Sequence, residues 1–222
     1  MTSNRLLQSN VPRTAIYAII IACAALNIFQ VGRGGMAIIT LLLMALLGCL
    51  SFVLTFRLTW KSIAVFSGLV CFLFVSLGMG TNMGFPFGDF AYTRGLGPAL
   101  VDVPILAPLA WMSLLIPSWV SAGKVLRFRH IVVASIVATA ADAVMEFAAD
   151  SMDLWHWRGG FPTELNYLSW FGISYVAFSI IQRFADEKEP HPIVPHLLYS
   201  QLLYFVLSDL GIRFMLHRAG VQ

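Results

Sequence analysis

The composition of this 222-residue chain indicates a protein that lies in a membrane. Hydrophobic residues make up 59% of the sequence and charged residues only 11%, whereas soluble domains carry about 25% charged residues. The formal net charge of +3 comes from basic residues that stand singly between apolar runs, which argues against a nucleic-acid-binding surface. The apolar runs are continuous and about 20 residues long, so they predict membrane helices rather than strands of a β-barrel.

Seven apolar runs predict an all-α fold, a polytopic membrane helix bundle of about seven transmembrane helices. The predicted spans cover, in chain order, residues 14–31, 36–56, 62–82, 102–121, 130–150, 165–185 and 193–216. Residues 1–13 form a polar N-terminal tail, and residues 1–222 as a whole form a single integral membrane domain. We expect the first span to be retained rather than cleaved as a signal peptide.

The distribution of basic residues predicts the orientation of the bundle. Nine of the 14 Lys and Arg residues lie in the N-terminal tail and in the connections after the second, fourth and sixth spans. Because basic residues concentrate on the cytoplasmic side, we expect a cytoplasmic N-terminus, most simply in the cell membrane. The two longest connections, residues 82–101 and 153–164, then lie together on the non-cytoplasmic side.

The fifth predicted span carries three acids, Asp142, Glu146 and Asp150, at positions i, i+4 and i+8. This spacing places them on one face of a helix. A carboxylate that faces lipid at the bilayer centre costs at least about 2.5 kcal/mol, so we expect all three to point into the bundle. Three neighbouring anions repel one another, which favours at least one protonated carboxyl, and a neutral acid beside an ionised one suits general acid and base catalysis. The structural alternative is that the acids join helices through hydrogen bonds to Arg94, Asn166 or Arg213.

The connection after the third span contains a distinctive motif, FPFGDFAYTRGLGPALVDVPILAPLAW at residues 85–111. It resembles the signature of the membrane carotenoid hydratases, a family that includes bisanhydrobacterioruberin hydratase and the γ-carotene 1′-hydroxylases. Asp142 and Glu146 stand at the two acidic positions of that family, followed by a Trp pair. A third match is Pro162 with Asn166 and Trp170, similar to the family pattern P-x-x-x-N-[FY]-x-x-W. The resemblance covers roughly residues 62–185.

The chain departs from this family pattern at two positions. The family commonly has a Glu where Leu77 stands, and an Asp-Pro pair where this chain has Glu146 and Phe147.

The resemblance implies an enzyme that adds water across a terminal C=C of a linear carotenoid without a cofactor. Asp142 is the expected proton donor and Glu146 the expected base that holds the water, although the reverse assignment stays open. Aromatic faces can stabilise the resulting cation by about 0.5–2 kcal/mol each. The predicted substrate-binding residues are Phe87, Asp89, Tyr92, Arg94, Trp111, Trp155, Trp157, Asn166 and Trp170. The implied partners are the polyene substrate, membrane lipid and other carotenoid-pathway enzymes.

Several other readings follow from the same residues. A proton-initiated terpenoid cyclase or isomerase would use the same acids, a transporter or channel would use them as a proton relay, and a pigment-binding protein would not react at all. The five His residues are scattered without HxxH, HxxxH or CxxC spacing, so no metal site is predicted. Asp209 is expected to pair with Arg213 four residues later, in a structural role.

Overall fold

The computed structural model describes residues 11–29, 35–123 and 127–220. These residues form seven α-helices, which confirms the all-α prediction. The helices are α1 Val11–Phe29, α2 Met36–Thr55, α3 Trp60–Met83, α4 Ala107–Ser121, α5 Arg127–Ala149, α6 Glu164–Phe184 and α7 Val194–Arg218. Most of the predicted polar tail, residues 1–10, and the predicted end of the first span, residues 30 and 31, lie outside the described residues.

Local chemistry explains several helix ends. The Thr59 side chain accepts a hydrogen bond from the Ser62 N–H at 3.3 Å and caps the start of α3. The same helix ends at Gly84, whose φ of 69° lies in the left-handed region that glycine adopts without strain. The start of α4 was predicted at residue 102 but lies at Ala107, because Val103–Pro104 is held in a short strand before the helix begins.

The lengths and compositions of the helices support membrane association. Among the described residues, three helical stretches are long and apolar enough to cross a membrane: Met36–Thr55, Trp60–Met83 and Arg129–Ala149. Two shorter apolar helices cover Arg13–Phe29 and Ala107–Ser121. Large apolar side chains also lie on the surface of the bundle, where they suit contact with lipid.

Helix α4 is the centre of the bundle. Twelve of its residues, from Ala107 to Trp119, are buried, as expected for a helix that is apolar on every side. Helices α2, α3, α5 and α7 all pack against it. At Gly48 of α2 an added Cβ would lie 2.5 Å from the Leu109 carbonyl oxygen, so the close approach of α2 to α4 requires glycine.

The two long connections form short strands that meet at one end of the bundle. Strand β1, Phe90–Tyr92, pairs antiparallel with β4, Trp155–Trp157. Between them in sequence, β2, Ala99–Leu100, pairs with β3, Val103–Pro104. The two connections therefore lie on the same side, as their positions after the third and fifth helices predict.

The predicted pair in the last helix is confirmed. Arg213 Nε donates to Asp209 Oδ1 at 2.7 Å, and Ser151 Oγ donates to the same oxygen at 2.6 Å. Since Arg213 Nη2 also donates to the Phe147 carbonyl at 3.1 Å, the pair ties α7 to α5 and to the segment that follows it.

Candidate functional site

The β1–β4 ribbon directs aromatic rings toward the helices. Side chains of a strand alternate between its two faces, and Phe90 and Trp155 are buried whereas Ala91 and His156, which are paired across the ribbon, are exposed. The registered pairs Phe90–Trp157 and Tyr92–Trp155 therefore place four rings over the end of the bundle.

Beneath these rings, α5 and α6 bring two carboxyls and one amide together. Asp142 and Glu146 lie one turn apart on α5 and are 1% and 9% exposed. Asn166, in the first turn of α6, is also buried. Its Nδ2 donates to Asp142 Oδ2 at 3.3 Å and to Glu146 Oε1 at 3.2 Å. One amide group thus bridges the two acids.

The two carboxyls have different hydrogen-bond partners. Glu146 Oε2 accepts from Trp155 Nε1 at 3.0 Å and from Trp157 Nε1 at 2.7 Å, so with the amide this carboxyl has three N–H donors. Among the described residues, Asp142 Oδ1 is buried without a hydrogen-bond partner. Indole and amide N–H groups can only donate, so they suit an ionised Glu146. The unmatched oxygen of Asp142 suits a neutral carboxyl, because burying an unpaired charge is costly.

A small cavity lies beside Glu146. Ten residues line it: Leu77, Phe87, Phe90, Tyr92, Trp111, Glu146, Trp155, Trp157, Asn166 and Trp170. The cavity volume open to the centre of a water molecule is about 10 Å³, which is close to the minimum for a single water. Its aromatic wall is closely packed, with the Trp111 and Trp170 ring centroids 4.2 Å apart. In this conformation the cavity is the size of a water molecule, and a terpenoid end group requires the rings to move.

Tyr92 separates this cavity from the surface. Trp111 Nε1 donates to its hydroxyl at 3.3 Å, and burial raises the pKa of the Tyr92 phenol above its ordinary value, so it stays neutral. Tyr92 also lines a surface depression of about 320 Å³ together with Arg94, Asp102 and Arg158. The Tyr92 ring thus lines both the cavity and this surface depression.

The structure brings together most of the residues predicted from the sequence. Eight of them line the cavity: Phe87, Tyr92, Trp111, Glu146, Trp155, Trp157, Asn166 and Trp170. Asp142 does not line it but lies next to it, bonded to Asn166.

Asp89 and Arg94 lie outside the cavity. Asp89 directly precedes β1 and is exposed, and its Oδ2 is 3.4 Å from Arg158 Nη1. Arg94 lies in a short 3-10 turn and is exposed. The surface positions avoid the cost of burying charges.

The expectation that Asp150 points into the bundle is wrong. Helix α5 ends at Ala149, so Asp150 leaves the helical face that carries the other two acids. Its side chain is exposed and contacts His156 Nδ1, while His156 Nε2 lies 3.3 Å from Asp153 Oδ1. The alternation that directs Trp155 and Trp157 toward the cavity turns His156 outward, away from it.

Two lining residues were not predicted as site residues, Leu77 and Phe90. Leu77 is 1% exposed and forms the α3 wall of the cavity. The family that the sequence resembles commonly has a Glu at this position, and that fact could have identified Leu77 as a residue of the site. The other departure, Phe147, is 72% exposed and lies on the outside of the bundle. The first departure therefore makes a wall of the cavity apolar, and of the two residues in the second only Glu146 lines the cavity.

Comparisons with known proteins agree with this sequence resemblance. A family model described as "Carotenoid biosynthesis protein" matches residues 34–218, a range that includes every residue of the cavity. Neither the curated proteins nor the solved structures gave a match.

Proposed function

Because this chain belongs to the carotenoid biosynthesis protein family, we propose that it adds water across a terminal C=C of a linear carotenoid to give a tertiary alcohol. The observation that carries this proposal is the pair of unlike carboxyls, Asp142 and Glu146, bridged by Asn166 beside an aromatic cavity. An acid and a base one helical turn apart are the two groups that alkene hydration needs. The net reaction joins an alkene and water, with no oxidation or reduction.

Asp142 is the proton donor in this proposal. Its Oδ1 has no acceptor among the described residues, so a proton on that oxygen is not engaged elsewhere. Transfer of this proton to the less substituted alkene carbon breaks the π bond and leaves a tertiary cation. The rings of Trp155, Trp157 and Trp170 line the cavity, and each can stabilise a nearby cation by about 0.5–2 kcal/mol.

Glu146 is the base. It lines a cavity of about 10 Å³, and three N–H donors hold its carboxylate in place. A water beside it forms the new C–O bond with the cation while Glu146 accepts the proton that the water loses. Return of this proton to Asp142 restores the starting state, and the shared contacts with Asn166 keep the two carboxyls close.

Water reaches the cavity past Tyr92 in this scheme. The depression that Tyr92 also lines supplies it, and in this scheme the Tyr92 ring rotates to let the water pass. We further propose that the protein lies in the cell membrane with a cytoplasmic N-terminus, so that this depression opens to the non-cytoplasmic side.

The test uses a host that makes a linear carotenoid, grown with oxygen-labelled water and analysed by mass spectrometry. We expect the wild-type chain to yield a product one labelled water heavier, and Asp142→Asn to yield none. A cyclised or isomerised product without label would instead identify a cyclase or isomerase, and unchanged pigment would identify a binding protein.

The roles of Asp142 as acid and Glu146 as base are distinguished by measuring deuterium incorporation into the carotenoid from deuterated water. Glu146→Gln retains the proposed acid, so it should introduce deuterium into recovered carotenoid while forming little alcohol. Asp142→Asn should do neither. The opposite pattern would reverse the assignment of acid and base.

A further inference from the structure

A groove of about 650 Å³ opens between α3 and α6 on the outside of the bundle. It lies at the start of α3 and the end of α6, whereas the β1–β4 ribbon lies at the opposite ends of these two helices. The lining residues of α3 are three or four positions apart and so share one helix face: Lys61, Ala64, Val65 and Gly68. The lining residues of α6 have the same spacing: Ile180, Arg183 and Phe184.

The lining changes from apolar to cationic toward the helix ends. Gly68 is seven residues from Lys61, a rise of about 10 Å, and the residues between them that line the groove are apolar. Trp60 also lines the groove, begins α3 and is 76% exposed. Arg183 directly precedes the end of α6. Tryptophan and basic residues at the ends of membrane helices lie at the level of the lipid headgroups, so the groove is apolar at the depth of the acyl chains and cationic at the depth of the phosphates.

The two cations of the rim are available to a ligand. Among the described residues, neither Lys61 nor Arg183 takes part in an ion pair. The Arg183 guanidinium carbon lies 5.5 Å from the centroid of the Phe184 ring, and a contact with the face of a ring leaves the N–H donors of arginine for an acceptor. The carboxyl of Asp186 lines the same rim, but its Oδ2 accepts from Thr59 Oγ1 at 2.6 Å. The rim therefore carries net positive charge.

Hydrogen bonds fix the backbone of this rim. The Asp186 N–H donates to Ser62 Oγ at 3.0 Å, and the Arg57 N–H donates to the Asp186 carbonyl at 2.8 Å. These bonds hold the segment after α6 against the start of α3, and they bring Arg57, a third exposed cation, beside the rim. A binding site that is ordered before the ligand arrives costs less entropy to occupy.

We propose that this groove binds one anionic phospholipid, with its phosphate at Lys61 and Arg183 and an acyl chain along Ala64 and Gly68. Arginine and lysine are the side chains that bind phosphate oxygens. In the orientation proposed above this end of the bundle is cytoplasmic, and a basic pocket between membrane helices on that side suits anionic lipid headgroups. Gly68 gives the chain room, because an added Cβ there would meet no atom within 4 Å. The site lies at the other end of the helices from the acid pair, so lipid binding does not depend on the hydratase activity.

Asp186 favours a headgroup that carries a hydroxyl. Its carboxylate at the rim can accept a hydrogen bond from such a group while the two cations bind the phosphate. Phosphatidylglycerol has both features, a phosphate with a full negative charge and free hydroxyls. Phosphatidylcholine has the same phosphate, but its quaternary ammonium repels the cations and donates no hydrogen bond. Phosphatidylglycerol is therefore the probe, and phosphatidylcholine with the same acyl chains is the reference.

The charge variants are Lys61→Gln, Arg183→Gln and the double variant. Both residues are exposed, so their replacement leaves the core packing intact. Arg129→Gln is the matched control. Arg129 is exposed at the start of α5, which is the same end of the bundle, and it does not line the groove.

Binding is measured by native mass spectrometry of the full chain in detergent, titrated with each lipid. We expect one phosphatidylglycerol to bind at least about tenfold more tightly than phosphatidylcholine. Each single charge variant should weaken phosphatidylglycerol binding about fivefold and the double variant about 25-fold. Arg129→Gln should bind like the wild type. Equal affinity for the two lipids, or an equal loss in Arg129→Gln, would overturn the proposal.

Gly68→Leu tests the position of the acyl chain. Leucine is a better helix former than glycine, so the helix is retained while the groove is filled. We expect phosphatidylglycerol binding to fall about threefold or more, from the loss of roughly five close atomic contacts. Ser67→Leu should bind like the wild type, because Ser67 is exposed and does not line the groove. Unchanged binding by Gly68→Leu would overturn the lipid assignment and leave a surface site for free anions, for which inorganic phosphate would compete.

Discussion

Replacing Trp157 by Phe tests whether the indole donors set the charge state of Glu146. Trp157 Nε1 makes the shortest of the three hydrogen bonds to this carboxyl, 2.7 Å to Oε2. Phenylalanine keeps one aromatic ring in the wall and removes the donor together with the second ring of the indole. We expect the rate of alcohol formation to fall, because a Glu146 with fewer donors is less readily ionised and is a poorer holder of the attacking water.

The magnitude follows from the kind of bond that is lost. A hydrogen bond to a charged group contributes about 1.5–3 kcal/mol, and each 1.36 kcal/mol changes a rate about tenfold. Trp157→Phe should therefore lower kcat/KM by about 10- to 150-fold. The double variant Trp155→Phe with Trp157→Phe should lose more than the sum of the single changes, because both indoles donate to the same oxygen and either alone can partly replace the other.

Trp111→Phe is the matched control. Trp111 also lines the cavity, but its indole donates to Tyr92 at 3.3 Å, a neutral bond that contributes about 0.5–1.5 kcal/mol. Its loss should therefore lower the rate by no more than about tenfold. Incorporation of 3-benzothienylalanine at position 157 keeps the bicyclic ring without the N–H and separates the donor from cation stabilisation. Alcohol formation at the wild-type rate with 3-benzothienylalanine at position 157 would refute the role of the N–H donor. Equal reductions in rate for Trp111→Phe and Trp157→Phe would refute it as well.

Three further predictions concern the walls and the surface of the site. In Gly80→Ala the new Cβ would lie 2.7 Å from Phe87 Cδ2, so we expect a destabilisation of about 1–3 kcal/mol, visible as a lower thermal midpoint in detergent; an unchanged midpoint would contradict this packing. Asp89→Ala removes an exposed pair with Arg158, N–O 3.4 Å, and should change stability by less than about 1 kcal/mol and leave alcohol formation intact. Burial raises the pKa of Tyr92 above its ordinary 10.0, so its contribution to stability is full below pH 10 and is lost as the unfolded phenol ionises above it. Tyr92→Phe should therefore reduce the fall in thermal midpoint between about pH 9 and 11, and an equal fall in both proteins would contradict the burial.

The helices and the acid pair could be predicted from the sequence, because both depend on local spacing. Continuous apolar runs gave the helices, and the four-residue separation of Asp142 and Glu146 placed them on one face. Asp150 has the same spacing but lies one residue beyond the end of α5. Helix ends depend on the following turn, which the apolar pattern does not encode.

The composition of the cavity wall could not be predicted as well, because it depends on a long-range strand pair. Phe90 faces Trp157 across a ribbon whose strands are far apart in sequence. The alternation in FAY and WHW is the signal that could have indicated it, since in both segments the outer two residues are aromatic. That pattern would have predicted Phe90 as a residue of the cavity wall, and it would have placed its neighbour Asp89 on the opposite face of the strand.

Asp142 and Glu146 lie on consecutive turns of the same helix, α5. The pitch of that helix therefore sets the distance between their backbone positions. When a bilayer becomes thinner than the apolar length of a helix, tilting is one way in which the helix accommodates the mismatch. Such tilting would change the distances from the two carboxyls to the Asn166 amide, which belongs to α6, and to the indoles, which belong to the ribbon. The spacing of Asp142 and Glu146 along α5 would stay constant. Lipid composition would thus change the hydrogen bonds that the two carboxyls accept, but not the spacing of Asp142 and Glu146 along α5.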